Sequence, residues 1–126
     1  DVLTTLESLG EHNDLCFQLY VEEGMILEAD GLAAHQPIRA RVLSDCAELI
    51  AEEHPDCAAG WLLIAAYAAA ARTCRDGYVE ATQHMLRVRE LSIATDQTEG
   101  FVRALRAFRD HNKRRRLLLS LLNDLL

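Results

Sequence analysis

The chain has few of the residues that interrupt helices and few of those that favour strands. Its 126 residues include 6 Gly and 2 Pro, and Val, Ile and Thr together number only 17. Sandwiches and barrels draw heavily on β-branched residues and on turn-forming Gly and Pro, so this scarcity argues against both classes. Ala and Leu instead supply 39 positions, which is typical of helices. We therefore predict an all-α fold in a single domain, residues 1–126.

Two further absences concern membranes and disulfides. No run of 18 or more apolar residues is present, so no transmembrane span is predicted, and no signal peptide is visible at the start of the sequence. The cysteines form no C-x-x-C pair, and we interpret them as free thiols that pack as small apolar residues. A reducing compartment follows, with the cytoplasm as the expected location. The four cysteines are Cys16, Cys46, Cys57 and Cys74.

Residue types used in catalysis and metal binding are present but scattered. The five histidines lie 19 to 30 positions apart, and none forms a H-E-x-x-H or E-x-x-H pair. The four serines fall within helical patterns, and the six glycines lack the spacing of a phosphate-binding loop. We therefore expect no enzyme activity, no metal site and no cofactor.

Lysine is nearly missing, since the basic residues are 12 Arg and a single Lys. Residues 1–63 hold 13 Asp or Glu against 2 Arg, a net charge of −11, whereas residues 64–126 hold 7 acids against 11 bases, a net charge of +4. Such halves can pair within one chain, pair head to tail between chains, or offer a basic face to an acidic partner. The pI near 5.1 argues against a nucleic acid as the partner.

Apolar residues at spacings of three and four predict about six helices. Residues 2–9 form a short leading helix that Gly10 ends, and residues 11–30 form a second helix. A β-hairpin competes with this second helix, because apolar residues also alternate on both sides of Glu22-Glu23-Gly24. The next predicted helix has Pro37 in its first turn and ends at His54-Pro55. Another helix, capped by Asp56, runs from about Cys57 to Cys74 and is followed by a turn at Asp76-Gly77. The last two predicted segments are a helix from Tyr78 to about Ala94 and a helical segment from Gln97 or Thr98 to Leu126.

An offset of 41 residues aligns several of these landmarks with one another. When the sequence is aligned with itself at this offset, Cys16 aligns with Cys57, Tyr20 with Trp61, and Tyr67 with Phe108. A repeated unit of this length is a helical hairpin, and successive hairpins bury faces that a single one leaves in water.

The best-defined hairpin resembles a tetratricopeptide repeat. Its first helix begins His54-Pro55-Asp56 and continues through Trp61-Leu62-Leu63-Ile64-Ala65-Ala66-Tyr67, and its second begins Asp76-Gly77-Tyr78-Val79-Glu80-Ala81, similar to the Gly-x-Tyr-x-x-Ala opening of that family. Trp61 and Ala81 are 20 positions apart, so the first helix is about one turn longer than the usual repeat has. The resemblance implies stacked antiparallel hairpins, with residues 11–54 as the first, 55–96 as the second and 97–126 as a capping or oligomerisation helix.

The same resemblance implies a non-enzymatic protein-interaction module, of adaptor or chaperone type. Its groove would hold a partner peptide or helix, and the first helices of the hairpins would line it. The residues expected near the bound partner are Tyr20, Trp61, Tyr67, Arg103, Arg106 and Arg109.

Arginines near the C-terminus support an alternative function. Arg103, Arg106, Arg109, Lys113 and Arg116 follow one another at steps of three or four, which places them along one stripe of a continuous helix. This stripe could bind a nucleic acid or an anionic lipid surface, although the acidic remainder of the chain favours neither nucleic acid nor membrane as the partner.

The last ten residues are unusually rich in leucine. If exposed, their apolar face would be large for a monomer, so it either caps the stack or pairs with a second chain to form a homodimer. The residues of this face are Leu118, Leu121, Leu122 and Leu125.

Overall fold

The computed structural model describes the backbone of residues 2–125 and the side chains of residues 11–123. Within that range the chain is helical and contains no strand, which confirms the all-α prediction and excludes the β-hairpin over residues 11–30. Seven helices are described, one more than expected. They are α1 (Val2–Glu22), α2 (Ile26–His35), α3 (Ala40–Ile50), α4 (Pro55–Ala71), α5 (Arg75–Ala94), α6 (Thr98–His111) and α7 (Arg116–Leu125).

The first helix is longer than predicted and ends at a different glycine. Gly10 does not end a helix, because α1 runs through it to Glu22. The chain turns at Gly24, whose φ of 75° is a left-handed conformation that glycine adopts at little cost. Backbone bonds from Gly24 N to Val21 O (3.1 Å) and from Met25 N to Tyr20 O (2.8 Å) complete a Schellman motif. A glycine inside a helix only lowers stability, by about 1 kcal/mol, so Gly10 alone is a weak stop signal.

Three other helix boundaries differ from the predictions by a few residues. α3 begins at Ala40, so Pro37 lies in the connection before it rather than in its first turn. α4 begins at Pro55, which leaves Asp56 inside the first turn and His54 at the N-cap without a capping side-chain bond. Asp76-Gly77 belongs to α5, and the turn lies before it, at Arg72 to Cys74.

The C-terminal segment is divided by a turn built around Asn112. This side chain is almost fully buried, and its Nδ2 donates to the backbone oxygen of Phe108 (2.8 Å) while its Oδ1 accepts from Arg115 (2.7 Å). These bonds satisfy a buried amide and end α6, so α7 starts in a new direction at Arg116.

Helix α4 is the centre of the domain and packs most extensively against α5 and α3. Seven of its side chains are buried, five of them alanines, which allows close approach of its neighbours. At Gly77 α5 lies close to α4, because a Cβ at this position would lie 2.5 Å from the backbone oxygen of Ala69.

Consecutive helices are joined by links of only three or four residues, which is typical of antiparallel neighbours. Asp14 pairs with Arg39 (3.2 Å), which places the start of α3 beside the middle of α1. Gln97 donates to Asp56 (3.1 Å), which places the start of α6 beside the start of α4. The connections therefore lie alternately at two opposite ends of the molecule.

Candidate functional site

Trp61 lies in the core rather than in an open groove. Its side chain has no exposed surface, its ring meets Phe17 edge-on at 4.7 Å between centroids, and its Nε1 donates to Asp30 (2.9 Å). A buried indole needs such an acceptor for its N–H, and Asp30 supplies it from α2. Trp61 therefore ties α1, α2 and α4 together, while Tyr20 is half-buried against the same core.

Tyr67 joins α4 to α6. Its ring packs edge-on against Phe108 (4.9 Å between centroids) and against His111 (5.2 Å). The side chain is half-buried, and this burial raises the pKa of its hydroxyl. Tyr67 is thus used at least in part for packing α4 against α6.

Three exposed cations lie along α6. Arg103, Arg106 and Arg109 are all exposed, and no carboxylate oxygen of the described side chains lies within 4.0 Å of them. Four other arginines of the domain are ion-paired, for example Arg87, which bonds Glu48 (2.8 Å) and Glu90 (3.0 Å). The face on α6 is therefore available to negative charge from outside the domain.

Two shallow hollows adjoin these arginines. One, of about 440 Å³, is lined by residues from Asp96 to Gly100 and by Arg103. The other, of about 300 Å³, lies beside Thr98, Val102 and Arg106, and Val102 is 39% exposed. Together they offer hydroxyl, methyl and guanidinium groups along α6, with the carboxylates of Asp96 and Glu99 at its start. The arginines and Val102 suit an amphipathic acidic segment whose own carboxylates lie away from Asp96 and Glu99.

The basic stripe predicted from the sequence is interrupted. Residues 112–115 are not helical, so Lys113 lies in the turn and Arg116 begins α7. The prediction of one continuous stripe is therefore wrong, because helical spacing carries meaning only within one helix. Only Arg103, Arg106 and Arg109 share the surface of α6.

The leucine face of α7 is largely used inside the domain. Leu118 and Leu122 are at most 1% exposed, and α7 packs against α5. Leu121 is half-buried, and the side chain of Leu125 lies outside the described residues. Leu117, on the other side of the helix, is 43% exposed. The two leucines that α7 buries lie inside the domain and are not offered to a second chain.

The thiols and imidazoles are dispersed over the fold. Burial, with a smaller contribution from Asp45 and Glu22, raises the pKa of the Cys46 thiol to about 11. Cys16 Sγ lies 3.5 Å from His12 Nε2 on the surface of α1. No group of three or more metal-ligating side chains occurs among residues 11–123. In the part of the chain that the structure describes, no helix has the length and apolarity needed to cross a membrane.

Sequence reasoning missed Thr98 and Val102, which flank the arginines. Their signal was present, since Thr98, Val102 and Arg106 recur at intervals of four on one face of the helix. A single exposed valine is common on protein surfaces, so the hollow beside it became visible only in the fold.

Comparisons of the chain with protein-family models, with curated proteins and with solved structures give no significant match. The likeness to tetratricopeptide repeats thus remains a prediction from residues 54–81.

Proposed function

We propose that this chain is a non-enzymatic protein-interaction module, of adaptor or chaperone type, which holds an acidic peptide or helix against α6. The observation that carries this proposal is the exposure of Arg103, Arg106 and Arg109 without an ion-pair partner among the described side chains. Exposed guanidinium groups at one-turn intervals match carboxylates at the same spacing on a partner helix.

We also propose that the helices form a divergent tetratricopeptide-like stack, with α1/α2, α3/α4 and α5/α6 as its hairpins and α7 as its cap. The support is the contact within each pair and between the alternate helices α1 and α3 and α2 and α4. The most extensive contact, α4 with α5, joins the second hairpin to the third. The hairpin predicted for residues 55–96 corresponds to α4 and α5, so the hairpins proposed here are shifted by one helix relative to that prediction. In such a stack α6 is the last repeated helix, and its outward face has no following hairpin to cover it.

A partner would gain both charge pairing and apolar contact on this face. Ion pairs on an exposed surface contribute about 0.2–1 kcal/mol each, so arginines alone support only weak, salt-sensitive binding. The hollow beside Val102 and Thr98 can take an apolar side chain of the partner, which adds affinity that salt does not screen. We therefore expect an amphipathic acidic helix to bind more tightly than an unstructured acidic peptide of equal charge.

The test uses a fluorescent synthetic helix with Glu and Leu at alternate turns, and a scrambled peptide of the same composition. The wild-type chain should bind the helix more tightly than the scrambled peptide. Charge reversal in R103E/R106E should weaken binding by at least about tenfold. The matched control, R75E/R89E, changes two exposed arginines outside α6 and should bind as wild type does. Equal binding by both variants, with helicity unchanged, contradicts the proposal.

A polyanion is the second candidate ligand, because the same three arginines could contact phosphates. The interruption of the stripe at residues 112–115 limits α6 to three cations in line, which is few for a nucleic-acid track. A single-stranded oligonucleotide and vesicles with anionic lipid serve as probes. Tight binding of either, at a salt concentration where the acidic helix no longer binds, favours this alternative.

A further inference from the structure

The two ends of the molecule carry opposite charge. The connections α1–α2, α3–α4 and α5–α6 lie at one end, and the residues in and beside them (22–28, 51–56 and 95–99) include eight exposed Asp or Glu but no Arg or Lys. None of the eight is ion-paired within the described side chains. We call this the acidic end.

The other three connections form the basic end. The residues in and beside them (36–41, 72–76 and 109–116) include nine Arg or Lys and two Asp. Arg39, Arg41 and Arg72 are paired with nearby carboxylates, and Arg115 bonds Asn112. The cations that remain exposed without an ion pair among the described side chains are Arg75, Arg109, Lys113, Arg114 and Arg116.

The two ends are too far apart to neutralise each other within one chain. Helix α4 has 17 residues and so spans about 25 Å between them at 1.5 Å per residue. At about 0.1 M salt the screening length is about 10 Å, so charges at opposite ends barely interact. The two ends therefore do not pair within one chain, and each is free to pair with a charged surface of another molecule.

We propose that a second copy of this chain is that partner, with the acidic end of one copy docked on the basic end of the next. Each copy carries both complementary surfaces, and each surface has exposed apolar groups amid its charges. At the acidic end Met25 is 41% and Leu27 is 82% exposed, and at the basic end Leu117 is 43% exposed. An apolar centre with a charged rim is the usual anatomy of a protein interface. The proposal goes beyond the site on α6, since Arg109 is the one α6 arginine that it shares and the variants that test it leave Arg103, Arg106 and Arg109 unchanged.

The contact is heterologous, because two different surfaces meet and each copy keeps one of them free. Copies therefore add head to tail into short open chains instead of stopping at a symmetric dimer. Association should weaken as salt rises, since exposed charges provide most of the complementarity.

The test neutralises each end separately. E22Q/E23Q removes two charges from the acidic end, and K113Q/R114Q removes two from the basic end, without changing buried residues. Matched controls remove equal charge from α3 and α5 outside both ends and outside α6, in E48Q/E90Q and in R87Q/R89Q. Mass is measured by sedimentation equilibrium over a range of concentrations at about 0.02 M and about 0.5 M salt. Circular dichroism checks that every variant keeps its helicity.

At low salt the wild-type chain and both controls should show masses that rise with concentration above the 14.1 kDa of one chain. Each end variant alone should associate at least about tenfold more weakly. In an equimolar mixture, E22Q/E23Q supplies an intact basic end and K113Q/R114Q supplies an intact acidic end. These two ends should join into a 1:1 dimer, and the dimer should not grow because its two remaining ends are the altered ones.

Three results would overturn the proposal. A wild-type chain that stays at 14.1 kDa at low salt leaves no self-association to explain. End variants that associate as wild type does remove the role of the charged ends. A salt-insensitive dimer that survives in both variants identifies a symmetric apolar interface instead. Because Arg103 and Arg106 are unchanged in the end variants, acidic-helix binding on α6 can succeed or fail independently.

Discussion

Tyr67 lies edge-on against Phe108, with ring centroids 4.9 Å apart and ring planes perpendicular. Phe108 is completely buried, whereas Tyr67 is half-buried on the opposite helix. This pair and the bond between Gln97 and Asp56 hold α6 parallel to α4, and thereby orient the arginines of α6 outward.

We expect Phe108→Ala to lower the free energy of unfolding by about 3–5 kcal/mol, since it empties a buried aromatic site. Tyr67→Ala should lower the free energy of unfolding by less, because part of the Tyr67 side chain is already exposed to water. In a double-mutant cycle the two changes should couple by about 0.5–1.5 kcal/mol, the range for aromatic pairs. Urea denaturation of the four proteins measures this coupling, and strictly additive losses would show that the rings do not interact.

Gly77→Ala should destabilise the domain, by about 1–3 kcal/mol as for other overpacked sites. The added Cβ would lie 2.5 Å from the backbone oxygen of Ala69 and 3.1 Å from Arg72 Cβ, so α4 and α5 must separate. Gly60→Ala is the control, because no atom lies within 4 Å of a Cβ there and alanine is the better helix former. Thermal unfolding should show opposite shifts for the two variants, and a neutral or stabilising Gly77→Ala would contradict the close approach of the helices.

Cys46 should be the slowest thiol of the native chain to react with a disulfide reagent. Its side chain is 4% exposed, and a pKa of about 11 leaves roughly one thiolate in a thousand at pH 8. The exposed Cys74 should react first. A Cys46→Ala variant should lose the slowest phase and keep the others, and all four thiols should react quickly in urea. Retention of the slow phase in Cys46→Ala would assign it to another cysteine.

His84 should make the fold less stable in acid. Its Nε2 is buried without a hydrogen-bond partner among the described residues, and burial lowers the pKa of the ring while Glu80 opposes the shift. Because the folded pKa lies below the unfolded value near 6.5, the unfolded state binds the proton first, and stability falls as pH drops below about 6.5. His84→Gln should show a smaller stability loss between pH 7.5 and 5.5 in urea titrations. An equal loss in both proteins would show that other groups carry the acid sensitivity.

Local pattern predicted the helices well because amphipathic spacing and an alanine-rich composition act within single elements. The 41-residue offset also carried spatial information, since Tyr67 and Phe108 lie 41 positions apart and are in contact, as are Asp56 and Gln97. The offset did not predict the environment of Trp61, whose burial depends on Phe17 and on Asp30 from two other helices.

The candidate site was predicted only in part. Arg103, Arg106 and Arg109 share a helix face as expected, because they lie within one helix. The turn at Asn112 could not be foreseen from spacing, since its stability comes from a buried amide that bonds Phe108 and Arg115. Helix breaks set by such tertiary bonds leave no periodic signal in the sequence.

The alternation of connections between the two ends has an electrical consequence. Neighbouring helices point in opposite directions, so their backbone dipoles largely cancel and the side chains of the connections set the polarity of the domain. A body polarised in this way experiences a torque in the electric field of a charged surface, which turns its oppositely charged end toward that surface. Encounters with charged partners are thus biased in orientation as well as in rate, and the bias can be reversed by changing connections while the core stays the same.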